Sequence, residues 1–103
     1  SSIHFLLYLK DNPIATCRLF FDQKLASYHL GRLAVLKDYR HLGVGSTLLL
    51  EVEKYLYEMG AKQIILGSQV TACDFYEKNG YKKYGEIYLD EGVEHIYMKK
   101  NLR

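Results

Sequence analysis

The stretch of sequence that decides the fold is LAVLKDYRHLGVGSTLLLEVEKYLYEMG, residues 33–60. Its first four residues are all apolar, which is typical of a central strand buried on both faces. Gly60 is the residue type that ends a helix. Between these ends, apolar side chains recur at spacings of three and four, as on one face of an amphipathic helix: Val44, Leu48, Val52, Tyr55, Leu56 and Met59. The stretch therefore predicts a strand, a glycine-containing loop and a long helix in succession.

Shorter β-prone or helical segments flank this unit, separated by turn residues such as Asn12-Pro13 and Asn79-Gly80. The segment after the long helix predicts a strand parallel to the one before it, because a strand–helix–strand crossover is right-handed. Strands are predicted over residues 3–9, 14–21, 28–36, 62–66, 81–89 and 93–101, and a short helix over residues 71–78. The order βββαβαββ predicts an α/β (α+β layered) fold with a mixed, mostly antiparallel sheet and a central parallel β-α-β unit.

The composition limits the classes of function. A chain of 103 residues with 49% hydrophobic and 25% charged residues is typical of one soluble globular domain, here residues 1–103. The net charge is only +2 with the signs interspersed, so we expect no nucleic-acid partner, and no apolar run is long enough for a membrane span. Two distant cysteines indicate neither a disulfide framework nor a metal site, which favours free thiols in the cytoplasm.

The loop before the long helix carries the chemistry. Its glycines allow consecutive backbone N–H groups to converge, and the helix N-terminus adds partial positive charge, so we expect it to bind a phosphate or pyrophosphate. A P-loop would need Lys where Ser46 stands, and a dinucleotide fingerprint would need a third glycine where Leu48 stands. Both are excluded. The candidate cofactor-binding residues of the loop are Arg40, His41, Leu42, Gly43, Val44, Gly45 and Ser46.

The pattern R-x-x-G-x-G over residues 40–45, after a strand ending in Leu-Ala-Val, resembles the acyl-CoA motif of the GNAT N-acetyltransferase superfamily. The segment FYEKNGY at residues 75–81 resembles the second signature of that family, in which an aromatic pair on a short helix precedes Gly and an aromatic strand start. The closing segment DEGVEHIYM at residues 90–98 resembles the ElaA-like branch. The resemblance covers roughly residues 14–100.

The resemblance implies a GNAT-like fold with acetyl-CoA as cosubstrate and no metal. It implies that Leu33, Ala34 and Val35 offer backbone groups to the pantetheine arm, as to an added strand, and that amides of residues 42–46 hold the pyrophosphate. It also implies that the strands at residues 33–35 and 62–66 splay apart, so that the thioester reaches the acceptor through the opening.

A catalytic scheme follows from the resemblance and from the chemistry of acyl transfer. The expected reaction is direct attack on acetyl-CoA by a primary amine of a small molecule or protein, in a ternary complex. Tyr76 stands where the family often places the phenol that protonates the departing thiolate. The base is less clearly marked: His95 is the first candidate, Glu91 the second and water the third. Cys73 as a nucleophile is the minor alternative, because buried structural cysteine is commoner.

The opening of the chain departs from the family pattern. Typical members begin with a strand and one or two helices that cover the acceptor side, whereas this sequence opens on the strand at residues 3–9. We expect either a longer natural chain or a second copy, as a homodimer, to cover the sheet edge. Two alternatives to an enzyme stay open: a noncatalytic acyl-CoA-binding or regulatory module, and an interaction domain without a ligand.

Overall fold

The computed structural model describes residues 2–103 and contains a six-stranded sheet with two α-helices. Short 3-10 turns at Lys37–Tyr39 and Val70–Ala72 precede the two helices. The predicted order of elements is confirmed, although the strand after the long helix continues three residues beyond its predicted end. The elements are β1 Ser2–Leu9, β2 Asn12–Asp22, β3 Ser27–Val35, α1 Val44–Glu58, β4 Gln63–Gln69, α2 Cys73–Lys78, β5 Lys82–Asp90 and β6 Val93–Asn101.

The sheet has the strand order β1-β2-β3-β4-β6-β5. Only the β3–β4 pair is parallel, and the other four pairs are antiparallel. This arrangement confirms the mixed, mostly antiparallel sheet with a central parallel unit. Because β3 and β4 lie at the centre, the loop and α1 that connect them start from the middle of the molecule.

A single hydrophobic core lies between the helices and one face of the sheet. Helix α1 contributes Leu48, Leu49, Val52 and Leu56, each at most 2% exposed. The predicted apolar face is partly wrong, because Tyr55 and Met59 are 36% and 49% exposed whereas Leu49 is fully buried. The buried stripe follows the 48/49/52/56 spacing, which is the wider stripe that packing on a sheet requires.

A β-bulge interrupts β3 at Arg32. Thr16 of β2 pairs with Ala34 and Arg18 pairs with Gly31, so that β3 carries one residue more than its partner here. Arg32 has φ 54, a left-handed conformation that is strained for a side chain with Cβ. The extra residue shifts the alternation of the strand: even-numbered Leu30 faces the core before the bulge, and Leu33 packs against the same core after it.

A buried polar cluster joins the two helices to β6. Glu53 of α1 accepts hydrogen bonds from the Tyr81 hydroxyl and from Lys100 Nζ, both at 2.8 Å. Lys100 also donates to the Asn79 carbonyl at 2.9 Å, just after α2. Burial, followed by the Glu53 carboxylate, raises the pKa of Tyr81 well above its ordinary value. The cluster fixes the end of α2 against the middle of α1.

Neither helix within residues 2–103 is both long and apolar enough to cross a lipid bilayer.

Candidate active site

The loop between β3 and α1 presents unpaired amides to solvent. Gly43 precedes α1 with φ 80, and His41 has φ 65, so the chain turns sharply before the helix begins. No side chain caps this end, and the first turn of α1 contains no acidic residue. Because the first amides of a helix have no intrahelical acceptor, the N–H groups at its start are free to bind an anion. This geometry is compatible with the predicted phosphate site, which stays a prediction.

Gly45 allows the start of α1 to pack tightly against its neighbours. A Cβ built at Gly45 would lie 3.0 Å from Cζ of Phe75 and 3.7 Å from Cγ2 of Val35. A methyl group would therefore press on the Phe75 ring. The second glycine of the motif is needed for this close approach, whereas Gly43 is needed for its positive φ.

Arg40 is held at the end of β3. Its Nε donates a hydrogen bond to the Val35 carbonyl at 3.0 Å, and its backbone N–H donates to the Lys37 carbonyl at 3.3 Å. Arg40 lines the same cavity as the start of α1 and contributes positive charge to it.

The end of β3, the loop and α2 enclose a cavity of about 730 Å³, here called the cofactor cavity. It brings together all of the predicted cofactor-binding residues except Leu42, whose side chain is 68% exposed. Tyr39, Gln69, Ala72 and Phe75 also line it and were not predicted. Its lining includes Leu33, Ala34, Val35, Arg40, His41, Gly43, Val44, Gly45 and Ser46.

The two central strands separate beside this cavity. Pairing between β3 and β4 is limited to three positions, Tyr28 to Leu30 with Ile64 to Leu66. Beyond Leu30, β3 carries the bulge at Arg32, and no ladder pairing joins it to β4 further along. The splay that the family resemblance implied is therefore present, and it leaves an opening through the sheet.

Tyr76 lies at this opening. Its ring packs edge-on against Phe75 and Tyr81, with centroid separations of 5.0 and 5.8 Å. Burial, with smaller contributions from Cys17 and Cys73, raises the pKa of Tyr76 to about 12. The phenol is therefore protonated at every pH near neutrality and is able to donate a proton.

A second cavity of about 610 Å³, here called the acceptor cavity, lies on the sheet face opposite the helices. Phe20, His29 and Tyr97 line it, and each is adjacent in its strand to a core residue, so alternation directs it away from the core. These rings form an aromatic wall: Phe20 stacks on His29 at 4.9 Å and Tyr97 stacks on Tyr88 at 4.8 Å. The two cavities share Leu33, Gln69, Ala72 and Tyr76.

His95 lines the acceptor cavity, as its predicted role requires. Its Nδ1 lies 2.9 Å from the Val93 carbonyl, which accepts a hydrogen bond only if Nδ1 carries the proton. Nε2 then has a free lone pair, which is what a base needs. Glu91, the second candidate, lies in the exposed β5–β6 turn and does not line the cavity, whereas its neighbour Asp90 does.

Arg18, His29, Tyr88 and Tyr97 line the acceptor cavity and were not among the predicted site residues. Burial lowers the pKa of His29, with Asp22 opposing and Arg18 adding to this effect, so its ring is neutral near pH 7. Burial raises the pKa of Tyr88 to about 12, with Tyr97 adding to the effect. The one available signal was the alternation of these residues with core positions in their strands.

The two cysteines lie outside both cavities. Cys17 and Cys73 are buried and free, and burial raises the pKa of Cys17 to about 11, which keeps it a thiol. Cys73 Sγ lies 3.8 Å from the Ser68 hydroxyl and 3.7 Å from the Gln69 carbonyl, as a structural residue would. Among residues 2–103, no three His, Cys, Asp or Glu side chains cluster in a way that could hold a metal ion.

Comparison with known proteins gives a consistent result. The family model described as an acetyltransferase (GNAT) domain matches residues 1–102. The chain is 35% identical over 101 residues to the uncharacterized N-acetyltransferase YjcF of Bacillus subtilis, covering 97% of this chain and 71% of that protein. A second Bacillus subtilis relative, 32% identical, is covered to 65% of its length. The chain thus spans about two thirds of the length of these relatives.

Solved structures have the same fold. A Lactobacillus plantarum protein described as an N-acetyltransferase superposes with TM-score 0.90 at 31% identity, over 97% of this chain and 68% of that one. Escherichia coli ElaA superposes with TM-score 0.82 at 27% identity, over 96% and 68%. A Bacillus anthracis protein described as a streptothricin acetyltransferase, solved with acetyl coenzyme A, gives 0.82 at 26% identity, over 97% and 62%. These findings confirm the resemblance that the motifs indicated.

Proposed function

The chain belongs to the GNAT acetyltransferase family, and on this premise we propose that it transfers the acetyl group of acetyl-CoA to a primary amine. The observation that carries the proposal is the meeting of two cavities from opposite faces of the sheet at Leu33, Gln69, Ala72 and Tyr76. A thioester entering from the cofactor cavity and an amine entering from the acceptor cavity would meet there. Neither partner would have to pass through the core.

The fit to a CoA diphosphate rests on the start of α1. Its free amides and Arg40 supply donors and positive charge, and Gly45 lets this end of the helix pack closely against Phe75. The exposed backbone of Leu33 to Val35 beyond the bulge is available to pair with the amides of the pantetheine arm. Together these groups would place the thioester sulfur toward Tyr76.

The reaction needs two proton transfers. The neutral amine attacks the thioester carbonyl, the C–N bond forms, and the C–S bond breaks with the electron pair leaving on sulfur. Tyr76 donates its proton to that sulfur. Because its pKa is about 12, the phenol keeps this proton until the thiolate departs. His95 Nε2 accepts the proton that the attacking nitrogen must lose, directly or through one water.

Direct attack in a ternary complex is favoured over an acyl-enzyme. Cys17 and Cys73 line neither cavity, and Cys17 is held as a thiol by its raised pKa. A covalent intermediate on either would need the thioester to enter the core. The two cavities instead allow both substrates to be bound at once.

Thiol release from acetyl-CoA in the presence of a panel of primary amines tests the proposal. We expect amine-dependent release and initial-rate patterns that intersect, as for sequential binding. CoA binding without release under any amine would favour the noncatalytic acyl-CoA-binding module. Failure of millimolar CoA to raise the melting temperature would contradict both readings.

A further inference from the structure

Two buried side-chain nitrogens have no hydrogen-bond partner within residues 2–103, and both belong to the acceptor cavity. They are Nε of Arg18 and Nδ1 of His29. An unpaired buried donor is costly, so native proteins pair such groups or use them to bind a ligand. Both residues line the acceptor cavity, but His29 Nδ1 lies 3.9 Å from the Asp22 carboxylate, whereas Arg18 has no acidic side chain within 4.0 Å among residues 2–103.

Arg18 is the stronger of the two as a binding group. No carboxylate of residues 2–103 lies within 4.0 Å of its guanidinium, which leans on the Phe20 ring at 5.2 Å from the centroid. Nη2 and Nε of Arg18 lie 3.9 and 4.0 Å from where a Cβ of Gly31 would stand, so a side chain at position 31 would pack against the guanidinium. Stacking fixes the guanidinium plane, which lowers the entropy lost when a planar anion binds.

The charges that face the cavity favour an anion at this end. Two guanidiniums, of Arg18 and Arg32, line the cavity against one carboxylate, of Asp90. Asp22 lies 3.9 Å from His29 Nδ1, outside the lining, and His29 is neutral near pH 7. His95 lies with Asp90 on the β5–β6 side. The positive end is therefore formed by β2 and β3.

Arg18 also lies at a useful distance from the reaction centre. It pairs with Gly31, two residues before Leu33, where the two cavities meet. Arg18 and Leu33 both line the acceptor cavity, so the two positions border the space that one small molecule would occupy. A carboxylate bound by Arg18 would then place an amine attached one or two carbons away near the thioester.

We propose that the acceptor is a small aminocarboxylate, an amino acid or a close relative, whose carboxylate is bound by Arg18 through the bidentate fork of its guanidinium. This inference rests on the proposed function and narrows its substrate class. A cavity of about 610 Å³ has room for one small molecule. The rings of Phe20, Tyr88 and Tyr97 in the aromatic wall would pack against an apolar side chain of the acceptor.

The test compares matched acceptors that differ only in the carboxylate. Phenylalanine, phenylalaninamide and phenethylamine are assayed with acetyl-CoA, and leucine with leucinamide forms a second pair. We expect kcat/KM to be about tenfold to hundredfold higher for the acids, as for a hydrogen-bonded charge pair. Arg18→Gln should abolish this preference, and Arg18→Lys should retain part of it.

Lys99→Gln is the matched control. Lys99 is a cation stacked on Tyr84 at 5.1 Å, and it does not line the cavity, so its removal should leave the preference for acids intact. A CoA-dependent rise in melting temperature verifies that each variant is folded. Loss of the preference in Lys99→Gln and Arg18→Gln alike would overturn the assignment to Arg18.

Failure of this inference differs from failure of the proposed function. Equal kcat/KM for acids and amides would overturn the inference and leave the acetyltransferase activity in place. Turnover restricted to amines that lack a carboxylate would do the same. If no amine is acetylated, calorimetric binding of phenylalanine and phenylalaninamide to the CoA-saturated protein decides the role of Arg18. Equal or absent binding of the two would overturn it.

Discussion

The two cavities that meet at Tyr76 are built in different ways. The cofactor cavity depends on backbone groups from one continuous stretch, the end of β3 and the loop before α1. The acceptor cavity depends on side chains that β2, β3, β5 and β6 bring together from residues far apart in sequence. On the proposed function, backbone amides would bind the cosubstrate and side chains would bind the acceptor. Substitutions should therefore separate the two functions.

The largest effect is expected on the cofactor side, from Gly45→Val. A Cβ at position 45 would lie 3.0 Å from Phe75, and the two methyl groups of valine would add to this clash. They would displace the start of α1 from the predicted phosphate position. We expect CoA affinity to fall about hundredfold or more, since overpacking of this kind costs about 1–3 kcal/mol before any donor is lost. Isothermal titration with CoA measures it.

Gly45→Ala combined with Phe75→Leu is the matched rescue for this test. Leucine lacks the ring carbon that a Cβ at Gly45 would meet, so the double variant should bind CoA better than Gly45→Ala alone. Equal affinity in the two would show that Phe75 is not the group that restricts this position.

Tyr76→Phe should lower kcat without changing CoA affinity. Loss of a general acid costs about a hundredfold or more in rate. Because its pKa is raised to about 12, Tyr76 stays protonated up to pH 10, and kcat of the parent chain should show no alkaline decline from this group. Rates at saturating substrate from pH 6 to 10 provide the measurement. An unchanged kcat in the variant would remove Tyr76 from the mechanism.

On the acceptor side, His95→Gln should lower kcat/KM for the amine by about tenfold to hundredfold, and CoA binding should not change. Glu91→Gln is the control, because Glu91 lies in the exposed turn outside the cavity. A larger loss from Glu91→Gln than from His95→Gln would reverse the order of the two candidates.

The smallest effect is expected at the bulge. Arg32→Gly relieves a left-handed conformation at φ 54 and should stabilise the fold by about 0.5–1 kcal/mol. Thermal unfolding should show a rise of a few degrees, which Arg32→Ala, with its Cβ retained, should not give. An equal change in the two variants would attribute the effect to charge and not to backbone strain.

Much of the fold and one side of the site could be predicted from the sequence. The order of elements and the glycine-containing loop before α1 are encoded in local patterns, and the loop is one contiguous segment. The residues of β2 that line the acceptor cavity together with Tyr76 could not be predicted. Arg18 and Phe20 read as outward residues of an ordinary strand, and only the register of β2 on β3 brings them beside Gly31 and His29. The bulge at Arg32 also shifts which residues face the core, and a count of alternating positions does not reveal it.

The same lesson applies to the apolar face of α1, where Leu49 is buried in place of Tyr55 and Met59. Spacing alone defines a helical stripe to within one position, and the choice between neighbouring stripes depends on the twist of the sheet below. Packing against the sheet therefore determines which side of α1 is buried.

The cluster of Glu53, Tyr81 and Lys100 fixes the relative position of the two helices. It clamps α2 to α1 at one end, while Phe75 against Gly45 holds them at the other. These contacts hold the start of α1 and Tyr76 of α2 at a fixed separation. On the proposed function, an acyl thioester that lacks the diphosphate of CoA would lose the contact that aligns its sulfur with Tyr76.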